Sequence, residues 1–161
     1  MGADDAGADT RRAWTIVAFA TAGFFALLVF ALGMASLLTG DAVIDEPGLG
    51  PVPGIIGTIA ALGGFVAVTA PALLRGAGGV GQALGGGAAA AAAYCAGVLV
   101  GAVGVGADPL RALAIGGAVL LSWVSVTIAV AGVVAGAGAA VAARSGPGVP
   151  RWPWERDDED R

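Results

Sequence analysis

The sequence predicts an all-α integral membrane protein, a bundle of four transmembrane helices with both termini cytoplasmic. Three observations carry that expectation. First, of 161 residues 57% are hydrophobic and 12% charged, whereas charged residues make up about a quarter of an ordinary soluble domain. Second, the chain falls into four uncharged apolar runs, and a bilayer core about 30 Å thick needs about 20 apolar residues per spanning helix. Third, arginines stand at those ends of the runs that four crossings would bring to one side of a membrane, the positive-inside arrangement.

Residues 1–12 read as a short, polar cytoplasmic segment, residues 13–143 as the transmembrane domain, and residues 144–161 as a cytoplasmic tail. The first span, 13–38, has no charge and carries Phe19, Phe24, Phe25, Leu27, Leu28 and Phe30, the clearest hydropathy signal in the chain. Pro47, Pro51 and Pro53 among glycines make 39–53 a loop, because proline lacks the amide proton a helix interior needs. The second span, 54–74, ends at Arg75, and the glycine-rich stretch 76–87 reads as a flexible connection.

The third run, 88–107, opens with six alanines, which favour insertion only marginally. Asp108 and Pro109 then supply an N-cap and a proline at the first helical position, so a fourth helix runs over 109–143. Charge decides whether the third run crosses. Arg11 and Arg12 precede span one, Arg75 follows span two, and Arg144, Arg151 and Arg156 follow span four, while Arg111 alone lies at the other side. Three crossings would put the arginine-bearing tail outside, so the expectation is four, in a cell membrane.

Two features resist a simple reading. Thr10-Arg11-Arg12 before an apolar run resembles a twin-arginine export signal, but the run is longer than a signal core and further spans follow. Residues 112–143 as one continuous helix would measure about 48 Å, while a 40° tilt accommodates only about 39 Å. The excess predicts either a cytoplasmic projection or a kink around Gly132, Gly136 and Gly138.

The composition excludes much chemistry. The chain has no histidine, lysine or asparagine, one cysteine and one glutamine. A lysine Schiff base, a Walker lysine and a histidine-assisted nucleophile are therefore ruled out, and a disulfide within one chain is impossible. No catalytic, cofactor-binding or metal-binding residues are assigned. Asp41, Asp45 and Glu46 lie in a Gly/Pro loop without the preset geometry of a calcium site. The dispersed arginines form no nucleic-acid surface. No span has an ionisable group at its centre, which argues against a proton-driven transporter.

What remains is packing and surface. Gly97 with Gly101, and Gly132 with Gly136, have the four-residue spacing that lets helix backbones approach closely. They are read as helix-packing positions inside the bundle, with a homo-oligomer seam as the alternative. Ser122, Ser125 and Thr127 are candidate polar contacts, weighed against serine and threonine bonding their own helix carbonyls. Trp152 and Trp154, beside Arg151 and Arg156, suit the headgroup zone, with an acidic end beyond them. This tail, arginine used to the exclusion of lysine, and spans rich in Ala, Gly and Val resemble small uncharacterised membrane proteins of high-GC actinobacteria. The expectation is a non-enzymatic accessory or scaffold protein without cofactors. Its partners are the lipid bilayer and a membrane protein or further copies of itself. The alternative is a channel or facilitator for a small neutral or apolar solute.

Overall fold

The computed structural model describes residues 3–39 and 50–145. They form five helices: α1 (Ala3–Thr39), α2 (Val52–Leu74), α3 (Val80–Gly104), α4 (Pro109–Leu120) and α5 (Trp123–Arg144). Four of these, α1 over Gly7–Leu38 and the whole of α2, α3 and α5, are long and apolar enough to cross a membrane.

α3 occupies the middle of the bundle, packed against α2, α4 and α5, while α1 closes the other side against α5 and α2. Phe24, Leu28, Phe65, Tyr94, Val98 and Ile128 fill the axis and are completely or almost completely buried. The Phe24 and Phe65 rings stack with centroids 4.8 Å apart. The outside is also apolar: Phe19 is 76% exposed, Leu37 81% and Leu121 89%. Such a surface suits hydrocarbon rather than water.

The helix ends are specified locally. α2 and α3 each finish with a glycine in the left-handed region, Gly76 at φ +68° and Gly106 at φ +94°, which residues with a Cβ adopt at a cost. Each is followed by a bond that satisfies a terminal carbonyl, from the Ala77 amide to the Ala72 oxygen at 2.8 Å and from the Ala107 amide to the Ala102 oxygen at 3.0 Å. The Asp108 carboxylate caps α4, accepting from the Leu110 amide at 2.9 Å, and Pro109 takes the first helical position.

Four boundaries differ from the sequence-based expectation. α1 starts at Ala3 rather than at residue 13, because the polar residues 3–12 hold no proline and extend an already nucleated helix. α2 starts at Val52, with Pro51 at its N-cap and Pro53 in its first turn, where a missing amide proton costs nothing. The stretch 76–87 is not all connection. α3 takes it up from Val80, and Gln82, Ala83, Gly86 and Gly87 are buried in it, so tertiary packing overrides the poor helix propensity of glycine.

The fourth difference resolves the excess length. The run 109–143 is broken at Leu121–Ser122, about three turns before the glycines expected to kink it. Residues on both sides of the break lie near Cys95 on α3. A Cβ on Gly116 would lie 3.6 Å from the Cys95 carbonyl oxygen, and the Ser125 hydroxyl lies 3.5 Å from the Cys95 sulfur. Two residues nine positions apart thus meet one level of α3, which absorbs about 13 Å of helical rise.

A break exposes backbone groups, and serines satisfy them. Ser122 caps α5 by accepting from the Val124 amide at 3.2 Å. The Val119 carbonyl accepts from the Ser122 and Ser125 hydroxyls, each at 2.7 Å. Removing either N-cap oxygen, by Ser122→Ala or Asp108→Ala, is expected to lower stability by about 1 kcal/mol. Asp108→Asn keeps an acceptor and is expected to leave stability unchanged within a few tenths of that. Denaturant unfolding of the detergent-solubilised chain, followed by circular dichroism, measures all three.

Candidate functional site

The described residues show two chemically distinct features, a pair of glycine seams on α3 and an arginine-rich end of the bundle. On the first seam, α3 meets α2. A Cβ on Gly97 would lie 2.8 Å from both the Gly57 Cα and the Ala60 Cβ, and one on Gly101 would lie 2.7 Å from the Pro53 Cα. Across the second seam α3 meets α5: a Cβ on Gly132 would lie 2.7 Å from the Gly87 Cα, and one on Gly136 would lie 2.9 Å from the Ala83 Cα. Real Cβ contacts do not come so close, so at all four positions the backbones approach as only glycine permits.

Gly97, Gly101, Gly132 and Gly136 therefore face other helices of the same chain. Their glycine partners Gly57 and Gly87, and Gly64, whose added Cβ would lie 2.7 Å from the Ala89 carbonyl oxygen, have no sequence-based assignment. On α2 a signal exists, since Pro53, Gly57, Ala60 and Gly64 are spaced by four, three and four and share a face. Gly87 gave no such signal because it sits in a run of glycines that reads as linker.

The hydroxyls of Ser122, Ser125 and Thr127 all donate to carbonyls of their own chain. The two serines bond the Val119 carbonyl, and the Thr127 hydroxyl donates to the Trp123 carbonyl at 2.9 Å. Trp152 and Trp154 lie outside the described residues, as do Asp41, Asp45 and Glu46.

One buried polar pair joins α2 to α3, a pairing that sequence spacing does not reveal. Gln82, the single side-chain amide of the chain, is 6% exposed on α3. It donates to the hydroxyl of Thr69 on α2, itself 0% exposed, at 3.2 Å. The Gln82 carbonyl oxygen has no partner among the described residues. Turning the amide over would exchange its oxygen and nitrogen without supplying a second partner at the same place. An apolar pair at these positions would avoid that burial cost.

At the other feature, α1 begins, α2 ends, α3 begins and α5 ends. Arg12 donates from Nη2 to the Ala142 carbonyl at 3.2 Å and also to the Ser145 carbonyl. Arg144 reaches the Gly78 carbonyl at 3.5 Å. Asp9, Arg12, Gly76 and Arg144 surround a depression of about 160 Å³. Arg11 and Arg75 stand on the same end, on α1 and at the C-cap of α2. These cations terminate or cross helix C-termini, where backbone carbonyls favour positive charge.

Two predictions follow from the seams. Gly97→Ala and Gly132→Ala are each expected to destabilise the fold by about 1–3 kcal/mol through overpacking. Gly63→Ala and Gly117→Ala, where an added Cβ meets nothing within 4 Å, are expected to stabilise it by up to about 1 kcal/mol through helix propensity. The opposite signs are read from unfolding midpoints in one detergent. For the buried pair, Thr69→Val alone is expected to cost about 1–3 kcal/mol because it leaves the amide wholly unpaired. Adding Gln82→Leu is expected to recover that loss, which a double-mutant cycle measures.

No curated protein and no solved structure matches the chain. A family model does match, over residues 6–161. The chain belongs to the family of unknown function DUF6121.

Proposed function

We propose that the protein is a multi-pass cell-membrane protein whose arginine-rich end, with residues 1–12 and 144–161, lies in the cytoplasm. It acts there without catalysis or cofactor, as an accessory protein that holds a neighbour through its tail. The observation that carries the topology is charge placement. Arg11, Arg12, Arg75 and Arg144 share one end of a bundle whose sides are apolar, while Arg111 stands at the opposite end, the asymmetry of the positive-inside rule.

The accessory role is supported by what the interior contains. Phe24, Phe65, Tyr94, Val98 and Ile128 occlude the axis of a single copy, which disfavours a solute passage there. The glycines that looked like an oligomer seam already face neighbouring helices of the chain. A partner is thus left the tail, with Trp152 and Trp154, and the outer helix faces.

Fluorescent proteins that mature only in cytoplasm, fused at either end, are expected to glow in both positions. A dark C-terminal fusion that is expressed and membrane-bound would sink the topology. Photocrosslinking from position 154 in native membranes is expected to capture a defined protein, and to lose it when 149–161 is deleted.

A further inference from the structure

Between α1 and α5, on the half of the bundle nearest the arginine-rich end, runs an open groove of about 430 Å³, within the range of small-ligand sites. Its walls are Thr15, Phe19, Gly23 and Leu27 on α1 and Gly138 and Ala142 on α5, among others. The glycines here differ from those of the seams. A Cβ on Gly23 or Gly138 would meet nothing within 4 Å, so internal packing does not require a glycine at either position. Their small size keeps the groove open.

The length and the charge of the groove identify an occupant. From Thr15 to Leu27 the groove rises about 18 Å, close to the roughly 15 Å of hydrocarbon in one leaflet. It stops where Leu28 turns fully into the core. At the open end stands the Arg12 guanidinium, bonded to the carbonyl of Ala142, which is itself a wall of the groove. Arg11 and Arg144 are exposed beside it, and among the described residues Asp9 is the one acidic side chain lining the adjoining depression.

We infer that the groove between α1 and α5 binds one anionic phospholipid of the cytoplasmic leaflet, with an acyl chain along Gly23 and Gly138 and the phosphate at Arg12. This rests on the proposed membrane topology. The phosphate takes the free guanidinium protons of Arg12, a charge-assisted contact, while Arg11 and Arg144 add attraction to an anionic headgroup. The acyl chain meets mostly apolar atoms, and the Thr15 hydroxyl in the groove wall already donates to the Arg11 carbonyl at 3.0 Å.

The test reconstitutes the full chain in vesicles of equal phosphatidylglycerol and phosphatidylcholine. It then extracts the chain in mild detergent and counts retained lipid by native mass spectrometry. One phosphatidylglycerol per chain is expected. Gly138→Leu fills open space, and is expected to remove that lipid without changing the unfolding midpoint by more than the control Gly63→Leu, which retains it. Arg12→Gln is expected to lower the preference for phosphatidylglycerol about fivefold, and Arg12→Lys to keep most of it. Equal retention of both lipids, retention undiminished in Gly138→Leu, or dimers crosslinked through the groove would each overturn the inference. Release of the chain from membranes by alkaline carbonate would instead overturn the membrane topology, a separate outcome.

Discussion

The bundle depends on α3 approaching two neighbours at backbone distance. At Gly97 and Gly101 it lies against Gly57 and Pro53 of α2, and at Gly87 and Ala83 against Gly132 and Gly136 of α5. In a bilayer the hydrophobic effect does not drive helices together, since lipid tails are as apolar as leucine. Contact between backbones supplies dispersion attraction that lipid cannot match, summed over many weak atom pairs. Glycines, costly to a helix taken alone, are stabilising where a neighbouring backbone packs against them, as at Gly97, Gly101, Gly132 and Gly136.

The other features follow from that arrangement. With α3 gripped along its length, the longer run from Pro109 to Arg144 breaks where the Val119 carbonyl accepts from the Ser122 amide and from the Ser122 and Ser125 hydroxyls. The break leaves Leu121 on the outer face, 89% exposed, while its backbone groups are satisfied by neighbouring hydroxyls, as nonhelical backbone in an apolar setting requires. α1 is held differently. It meets α2 and α5 rather than α3, buries Val17, Phe24 and Leu28, and leaves beside them the groove at Gly23. The tightly packed half of the molecule thus gives stability, and the loosely packed half gives it a surface on which another molecule can rest.

Much of the helix order was legible in the sequence because hydropathy and charge act over whole segments. The runs containing Phe24, Phe65 and Ile128 declare themselves by length and hydropathy, the alanine-rich run containing Val98 needs the arginine pattern, and Asp108-Pro109 announces a helix start by local chemistry. The GxxxG spacings of Gly97 and Gly132 were visible too, but their partners were not, since spacing says which face is small and nothing of what meets it. The start of α3 was misjudged for a physical reason: Gly85, Gly86 and Gly87 read as a linker until α2 and α5 are in place to cover them. Gln82 was lost with that stretch, although a single amide in an apolar chain was itself a signal. The break at Leu121 lay hidden because a serine N-cap inside an apolar run looks like any small polar residue on a helix face.

The central claim is that these seams close within one chain, and the native Cys95 offers a direct measurement. The Cys95 sulfur lies 3.5 Å from the Ser125 hydroxyl across the α3 to α5 contact. Ser125→Cys in native membranes, treated with a membrane-permeant oxidant, should form a disulfide within the monomer. Reducible loss of both free thiols without any change in oligomeric size is the predicted result. A disulfide-linked dimer, or two thiols that stay free under the same oxidant, would contradict it.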